Sequence, residues 1–385
     1  MAPHEERYHA LDSLRGTMML LGIYLHVVVG YSGDGHWPYI DKNPTSVLSW
    51  SLGVIHSFRM PAFFVMAGFF GALLWNRRGA ASFISNRAHR ILLPFALFWT
   101  ILFPAVASTV IALQNGSQFI VPTFVSGAIL QHLHPLHLWF LEYLLFLYTI
   151  GGLTAWAFGF LPGSWFAGIQ SAYRWGLSRS YAPLLFAVFS YFPLVLMRGN
   201  LKDPDGFAPE FLILSAYIPP FAFGWLLYHS RDMLPRFEKN IWTYVSLAVP
   251  CFFVYGLASA TRQQYLKAAG NVILCWLLIF AVIGIFLKFA SAHSPLWRYV
   301  SDSSYWLYIM HMPVVIAFQV AFQQVPIPAL AKIPIVLFLS VVVLLISYEA
   351  FVRTTWIGAL LNGRRFPHGL PKPSNQPALT PLAVQ

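Results

Sequence analysis

The sequence predicts an all-α, polytopic membrane protein of about ten transmembrane helices, with both termini in the cytoplasm. Three observations predict it. Of its 385 residues, 58% are hydrophobic and only 10% charged, where an ordinary soluble domain carries about 25% charged residues. The mean hydropathy of +0.62 is gathered into repeated apolar runs of about 20 residues, the length a helix needs to cross a hydrocarbon core roughly 30 Å thick. Charge is also sorted: of 24 Lys and Arg, 17 fall on one side of the expected spans and six on the other, with Arg59 inside a span. That bias places the richer side, and both termini, in the cytoplasm. It also accounts for the net charge of +11 without a nucleic-acid partner.

The expected spans cover roughly 13–31, 50–75, 91–113, 137–160, 181–197, 210–229, 241–258, 270–290, 305–323 and 332–352. MAPHEERYHA is too polar for a signal-peptide n-region, and the first span reads as an uncleaved signal anchor. The outward loops, around 31–49, 114–136, 198–209 and 259–269, carry turn chemistry in SGDG, NPTS, NGSQ and KDPDG. Residues 1–355 form the transmembrane domain. Residues 356–385, basic and proline-rich, are expected to be a disordered cytoplasmic tail. Cys251 and Cys275 lie in apolar spans and are expected as free thiols. No internal repeat of the kind that builds inverted-repeat transporters stands out.

Against this background a few polar residues stand out at membrane depth. Arg15 and His26 are eleven residues apart in LDSLRGTMMLLGIYLHVVVGY, which returns to within about 20° of the same helix face after roughly 16 Å. An Arg at the edge of a span is ordinarily an anchor, and Asp12 can pair with it. An imidazole as deep as His26 needs a partner or a cavity, and such groups mark function. Arg59, in HSFRMPAFFVMAGFF, comes to a similar depth, with His56 on a similar face and Pro61 leaving a backbone acceptor free. Gly68 and Gly71, beside Ala67 and Ala72, suit close helix packing. Arg87 and Arg90 in NRAHRILLP are at i, i+3, so both can face one anionic group, although anchoring explains them almost as well. His132, His134 and His137 are close in sequence, but no second ligand cluster accompanies them, and no metal is expected. Glu142 follows as a carboxylate in need of a partner. Ser304, Tyr308 and His311 share one helix face, with His311 expected about 10 Å inside the cytoplasmic boundary. Glu349 and Arg353 read as a local i, i+4 pair. No nucleotide-hydrolysis motif appears, so an ATP-driven pump is not indicated.

Together these segments resemble the membrane acyltransferase family 3. The resemblance rests on LDSLRG with Arg15 and His26 in an R-x10-H arrangement, and on FRMPAFFVMAGFF, NRAHRILLP, HLWFLEYLL and SYWLYIMHMP in that order. It runs from residue 11 to about 352, and the glucan biosynthesis protein C group, similar to enzymes that succinylate periplasmic glucans, is the nearest branch. One departure is Ala67, where many relatives have Ser. The resemblance implies an acyl-CoA donor substrate (acetyl-CoA or succinyl-CoA) on the cytoplasmic side, a glycan acceptor on the far side, and the lipid bilayer of the cell inner membrane.

The residues fit that chemistry on their own terms. Acyl transfer to a hydroxyl needs a base, or a carrier for the acyl group, and an imidazole can be either. A desolvated Arg stabilises the tetrahedral intermediate. His26 is therefore the candidate base or carrier, Arg15 the residue at the thioester end, and Arg59 that on the acceptor side. Arg87, Arg90, Tyr308 and His311 are the candidates for binding the acyl-CoA, and His56, His137 and Glu142 for binding the acceptor. A transporter or flippase for a polar or anionic substrate is the rival reading, separable by whether acyl-CoA is consumed. A scaffold leaves His26 and Arg59 without explanation. Whether the chain forms a homodimer is left open.

Overall fold

The computed structural model of the protein describes residues 8–33, 37–292 and 294–371, and among these every regular element is helical. α1 (His9–Ser32), α2 (Ser49–Arg87) and α3 (Leu93–Gln114) come first, with a π-helical turn, Ala88–Leu92, between the last two. A short α4 (Ile120–Val125) and several 3-10 turns lead to α5 (Trp139–Phe158), α6 (Gly163–Leu177), α7 (Ala182–Leu196) and α8 (Phe211–His229). The chain closes with α9 (Ile241–Ala260), α10 (Gln264–Phe289), α11 (Pro295–Ala321), α12 (Ala329–Ser347) and α13 (Trp356–Asn362).

Among the described residues, eight helical segments are long and apolar enough to cross a membrane, or nine when α6 and α7, bent by 118°, count as one. Two places separate this from the ten expected. The 15 residues of α7 span about 22 Å, too short alone. The spans expected at 50–75 and 91–113 fall in one continuous stretch, Ser49–Gln114, which at about 99 Å would be three times the hydrocarbon thickness if straight. It doubles back at Gly79 (φ 74, ψ 175), a backbone region that only glycine enters without strain. Past that point Phe83 packs edge-on against Trp75 at 5.3 Å, and Arg87 Nη2 comes 3.5 Å from the Phe70 carbonyl.

The site is set by the first helices and α11. α1 and α11 run parallel: Arg15 meets Ser301, and Gln319 meets the carbonyls of His26 and Val27. Gly16 and Gly30 make the approach possible, since a Cβ at either would crowd Val300 or collide with the Gln319 amide. α2 runs antiparallel to α1, with Tyr8 against Phe69 at one end and Tyr24 bonded to Ser51 at the other. Gly68 of α2 and Gly224 of α8 let those two backbones touch. In lipid, where no hydrophobic force drives helices together, such close backbone packing holds a bundle.

After α1 the chain folds back over the bundle. Asp41 N–H donates to Gly30 O at 2.9 Å, and the Asp41 carboxylate pairs with Lys332 of α12 at 2.7 Å. At the other end, residues 356–371, expected within a disordered tail, are placed. Phe366 N–H donates to Arg353 O at 2.8 Å, and Arg353 Nε to Pro367 O at 2.6 Å. Arg353 is 1% exposed and also pairs with Glu349 at 3.6 Å, the i, i+4 pair expected there. The buried Arg353 guanidinium ties the end of this stretch down, and Leu361, 2% exposed, packs into the core. The rest of the expected tail, 372–385, lies outside the described residues.

Candidate active site

Five of the expected residues converge on the C-terminal half of α1. The His26 ring lies 5.0 Å from that of His311, which lies 4.9 Å from His137. Tyr308, one turn before His311, donates its hydroxyl to the His137 carbonyl at 2.5 Å. The Arg59 guanidinium lies across Gly22, one turn from His26 on the Arg15 side, where any Cβ would collide with it. Asp203 is a carboxylate close enough to act on it electrostatically.

α11 begins at Pro295, ten residues before the expected span, and Arg298 and Asp302 pair at 3.8 Å within it. That puts His311 about 24 Å along α11 and level with His26. His137 is presented by a 3-10 turn just before α5, after Leu136 in a left-handed conformation (φ 56). Such a conformation is uncommon for a branched residue and marks a constrained loop. His132 and His134 are exposed and separate from it.

The polar bookkeeping of this cluster is incomplete. His311 Nδ1 faces the Tyr308 carbonyl at 2.6 Å and His137 Nε2 the Ile309 carbonyl at 2.9 Å. A carbonyl only accepts, so in each neutral ring the other nitrogen carries a lone pair. Those nitrogens, His311 Nε2 and His137 Nδ1, are buried and have no hydrogen-bond partner; the same is true of His26 Nδ1 and Arg59 Nε. Buried polar atoms are normally paired, and several orphans in one place mark a reactive or ligand-binding site.

The remaining expected residues are distributed around this centre. Arg15 lies toward the N-terminal end of α1, 2.9 Å from Ser301 Oγ and 3.7 Å from Asp12. Arg87 and Arg90 are near enough to act on one another, and Arg15 on Arg90, but they do not converge on one point. Arg87 stacks over Tyr148 at 4.0 Å, and Arg90 donates to Leu361 O at 3.0 Å. The π-helical turn between them changes the angular step and turns them apart. Arg87 also lines an otherwise mostly apolar cavity of about 540 Å³ with Trp75, Phe83, Tyr148 and Trp156. His56 is tied to Leu201 O at 3.0 Å, a turn from Arg59. Glu142 is buried in the first turn of α5, its Oε2 without a partner. Tyr148 donates to the carbonyl of Ala67 at 3.2 Å.

Sequence reasoning missed two members. Trp37, from the loop after α1, stacks on His26 at 4.8 Å with 26° between planes. Its indole N–H donates to Gln319 Oε1 at 2.7 Å, while Gln319 Nε2 donates to His26 O and Val27 O. The signal for Gln319 was an amide inside the apolar run VVIAFQVAF. Nothing local distinguishes Trp37 from an interfacial aromatic.

Residues 8–351 match the family model described as an acyltransferase domain, that of acyltransferase family 3. The chain belongs to that family. It is thus an acyl-transferring enzyme and a multi-pass membrane protein, as its motifs implied. Among curated relatives it is similar to glucans biosynthesis protein C of Escherichia coli O157:H7 (strain EC4115 / EHEC), with 24% identity over 347 residues covering 81% of this chain and 83% of that protein. The proteins of the same name from Escherichia coli O139:H28 (strain E24377A / ETEC) and O9:H4 (strain HS) match at the same identity and coverage. No solved structure matches the chain.

Proposed function

We propose that this family member is an O-acyltransferase of the cell inner membrane that moves an acetyl or succinyl group from cytoplasmic acyl-CoA to a hydroxyl of a periplasmic or envelope glycan. One observation carries the reading: three imidazoles and a guanidinium meet on the C-terminal half of α1, with buried nitrogens that have no partner among the described residues. His26 is the group that reacts, as base or as carrier. Arg59, a turn away, stabilises the oxyanion in a site poor in water, where a fixed charge is worth most. Arg15, Arg87 and Arg90, though turned toward different partners, lie toward the end of the bundle that this reading makes cytoplasmic, where their charge suits the phosphates of coenzyme A. The glycan acceptor is suggested by the name of the relatives.

The test is acyl-CoA consumption by the purified protein in lipid, with a glucan acceptor. Turnover by the wild type, and its loss in both His26→Ala and His26→Gln with unchanged expression and insertion, supports the reading. Substrate movement with no acyl-CoA consumption would establish a transporter instead. Orientation is checked by single-cysteine labelling in a Cys251/Cys275-free background. Ala80→Cys is exposed at the reversal and is expected to resist labelling from outside sealed cells.

A further inference from the structure

We propose that the two central histidines divide the reaction: His26 carries the acyl group, and His311 is the base that takes the proton of the acceptor hydroxyl. The proposal rests on the acyl-transfer reading above and goes beyond it by separating roles that the sequence leaves to one residue.

The three imidazoles are not equivalent. His311 and His137 each commit one ring nitrogen to a carbonyl of α11, at 2.6 and 2.9 Å. Each ring is therefore held in one tautomer, with its lone pair on the other nitrogen. A fixed ring with one free lone pair is the arrangement of a base. His26 makes no such commitment from either ring nitrogen, and its Nδ1 is buried without a partner. Its ring instead stacks on Trp37 at 4.8 Å and lies 5.0 Å from the His311 ring, tilted by 41°. Gln319, fully buried, ties Trp37 to the backbone at His26 and Val27. An imidazole positioned by ring stacking, with uncommitted nitrogens, is free to change its bonding there. That is the arrangement of a nucleophile.

Chemistry requires the second group. Once one nitrogen of His26 bears an acyl group, its electron pair is withdrawn into the new bond, and the ring no longer serves as an effective base for the incoming hydroxyl. His311, 5.0 Å away between ring centres, is the adjacent imidazole with an open lone pair.

In the first step a His26 nitrogen attacks the thioester carbonyl, the C–S bond breaks, and coenzyme A leaves as thiolate, giving an acyl-imidazolium. In the second the acceptor oxygen attacks the acyl carbon and its proton passes to His311 Nε2. The C–N bond breaks, and its electron pair returns to His26. The proton on His311 then balances the thiolate, released as thiol. Arg59 beside Gly22 faces the oxyanion of both steps.

The experiment uses the full-length protein in lipid with acetyl-CoA and succinyl-CoA labelled in the acyl group, followed by coenzyme A release, label on protein and ester on a glucan oligosaccharide. His311→Asn keeps an N–H for the Tyr308 carbonyl while removing Nε2. It is expected to release about one coenzyme A per protein, to retain the label, and to transfer at least about 100-fold more slowly than wild type. His26→Gln is expected to give neither burst nor label. His311→Gln is the second variant should Asn not fold. Transfer by a folded His311 variant within about tenfold of wild type overturns the proposal, as does absence of the burst and label. Wild-type protein that consumes no acyl-CoA sinks the acyl-transfer reading itself, a result distinct from either.

Discussion

Two buried polar clusters sit one beyond the other along the C-terminal half of α1, and they are finished differently. The Asp41 carboxylate has all its partners, although the nearby Tyr31 hydroxyl is buried without one. Lys332 pairs with one carboxylate oxygen at 2.7 Å, Tyr39 donates to the same oxygen at 3.0 Å, and Asn43 N–H donates to the other at 3.0 Å. Around His26 four buried nitrogens have none. Both clusters are costly to bury, so burial alone does not tell scaffold from site. Completeness does: a satisfied cluster fixes a loop, and an unsatisfied one waits for something outside the protein.

The comparison predicts opposite responses to mutation. Lys332→Ala strands a carboxylate that is 4% exposed, and removing one partner of a buried pair costs about 3–5 kcal/mol. Thermal unfolding in detergent should show that loss. The double replacement Asp41→Leu with Lys332→Met should recover most of it, and an unchanged melting temperature in the single variant would break the comparison. Arg59→Met should do the reverse. It is expected to lower kcat by about 10²–10³ through the lost oxyanion partner while leaving the melting temperature unchanged or higher, because it removes an incompletely bonded charge. A variant that is unstable but kinetically normal would place Arg59 with the scaffold.

Acid sharpens the contrast further. Burial alone would raise the pKa of Asp41, but the hydrogen bonds from Lys332, the Asn43 amide and Tyr39 outweigh it and hold the group below the usual carboxylate value. A depressed folded pKa gives stability that is present above the unfolded value, about 3.9, and is lost as pH falls through the folded one. Wild-type melting should therefore drop below about pH 4 by more than that of Asp41→Asn. The smallest effect belongs to the bidentate Arg174–Asp232 pair, 2.7 Å on both arms but 41% and 61% exposed. Asp232→Asn should cost less than about 1 kcal/mol.

The sequence revealed this site unevenly, for physical reasons. His26, Arg59 and His311 were legible because each interrupts an apolar run, and a helix has a fixed pitch that makes depth calculable. Arg15 and His26 do both face α11, as their spacing required. α11 starts before the expected span, because the Arg298–Asp302 pair, read as lying outside it, falls inside the helix. Asp41 and Lys332, 291 positions apart, belong to no local pattern, and Lys332 passed for an ordinary loop charge. The reversal at Gly79 falls in the gap left between the expected spans at 50–75 and 91–113, and the backbone angle fixes the residue at which it happens. Trp37 was invisible as a site residue, because its role lies in what it stacks on.

The parallel pairing of α1 with α11 bears on how the molecule is made. Arg15 and the serine it bonds are 286 residues apart, and at about 5–20 residues per second a ribosome needs roughly 15 to 60 s to cover that interval. Throughout it the nascent α1 holds an imidazole at membrane depth with its eventual neighbour not yet synthesised, and Arg15 has Asp12 alone at hand. A chain that stops short of α11 lacks the Ser301 and His311 that meet those groups in the finished protein. The reactive centre is therefore assembled near the end of synthesis, and an unfinished chain lacks the His311 that completes it.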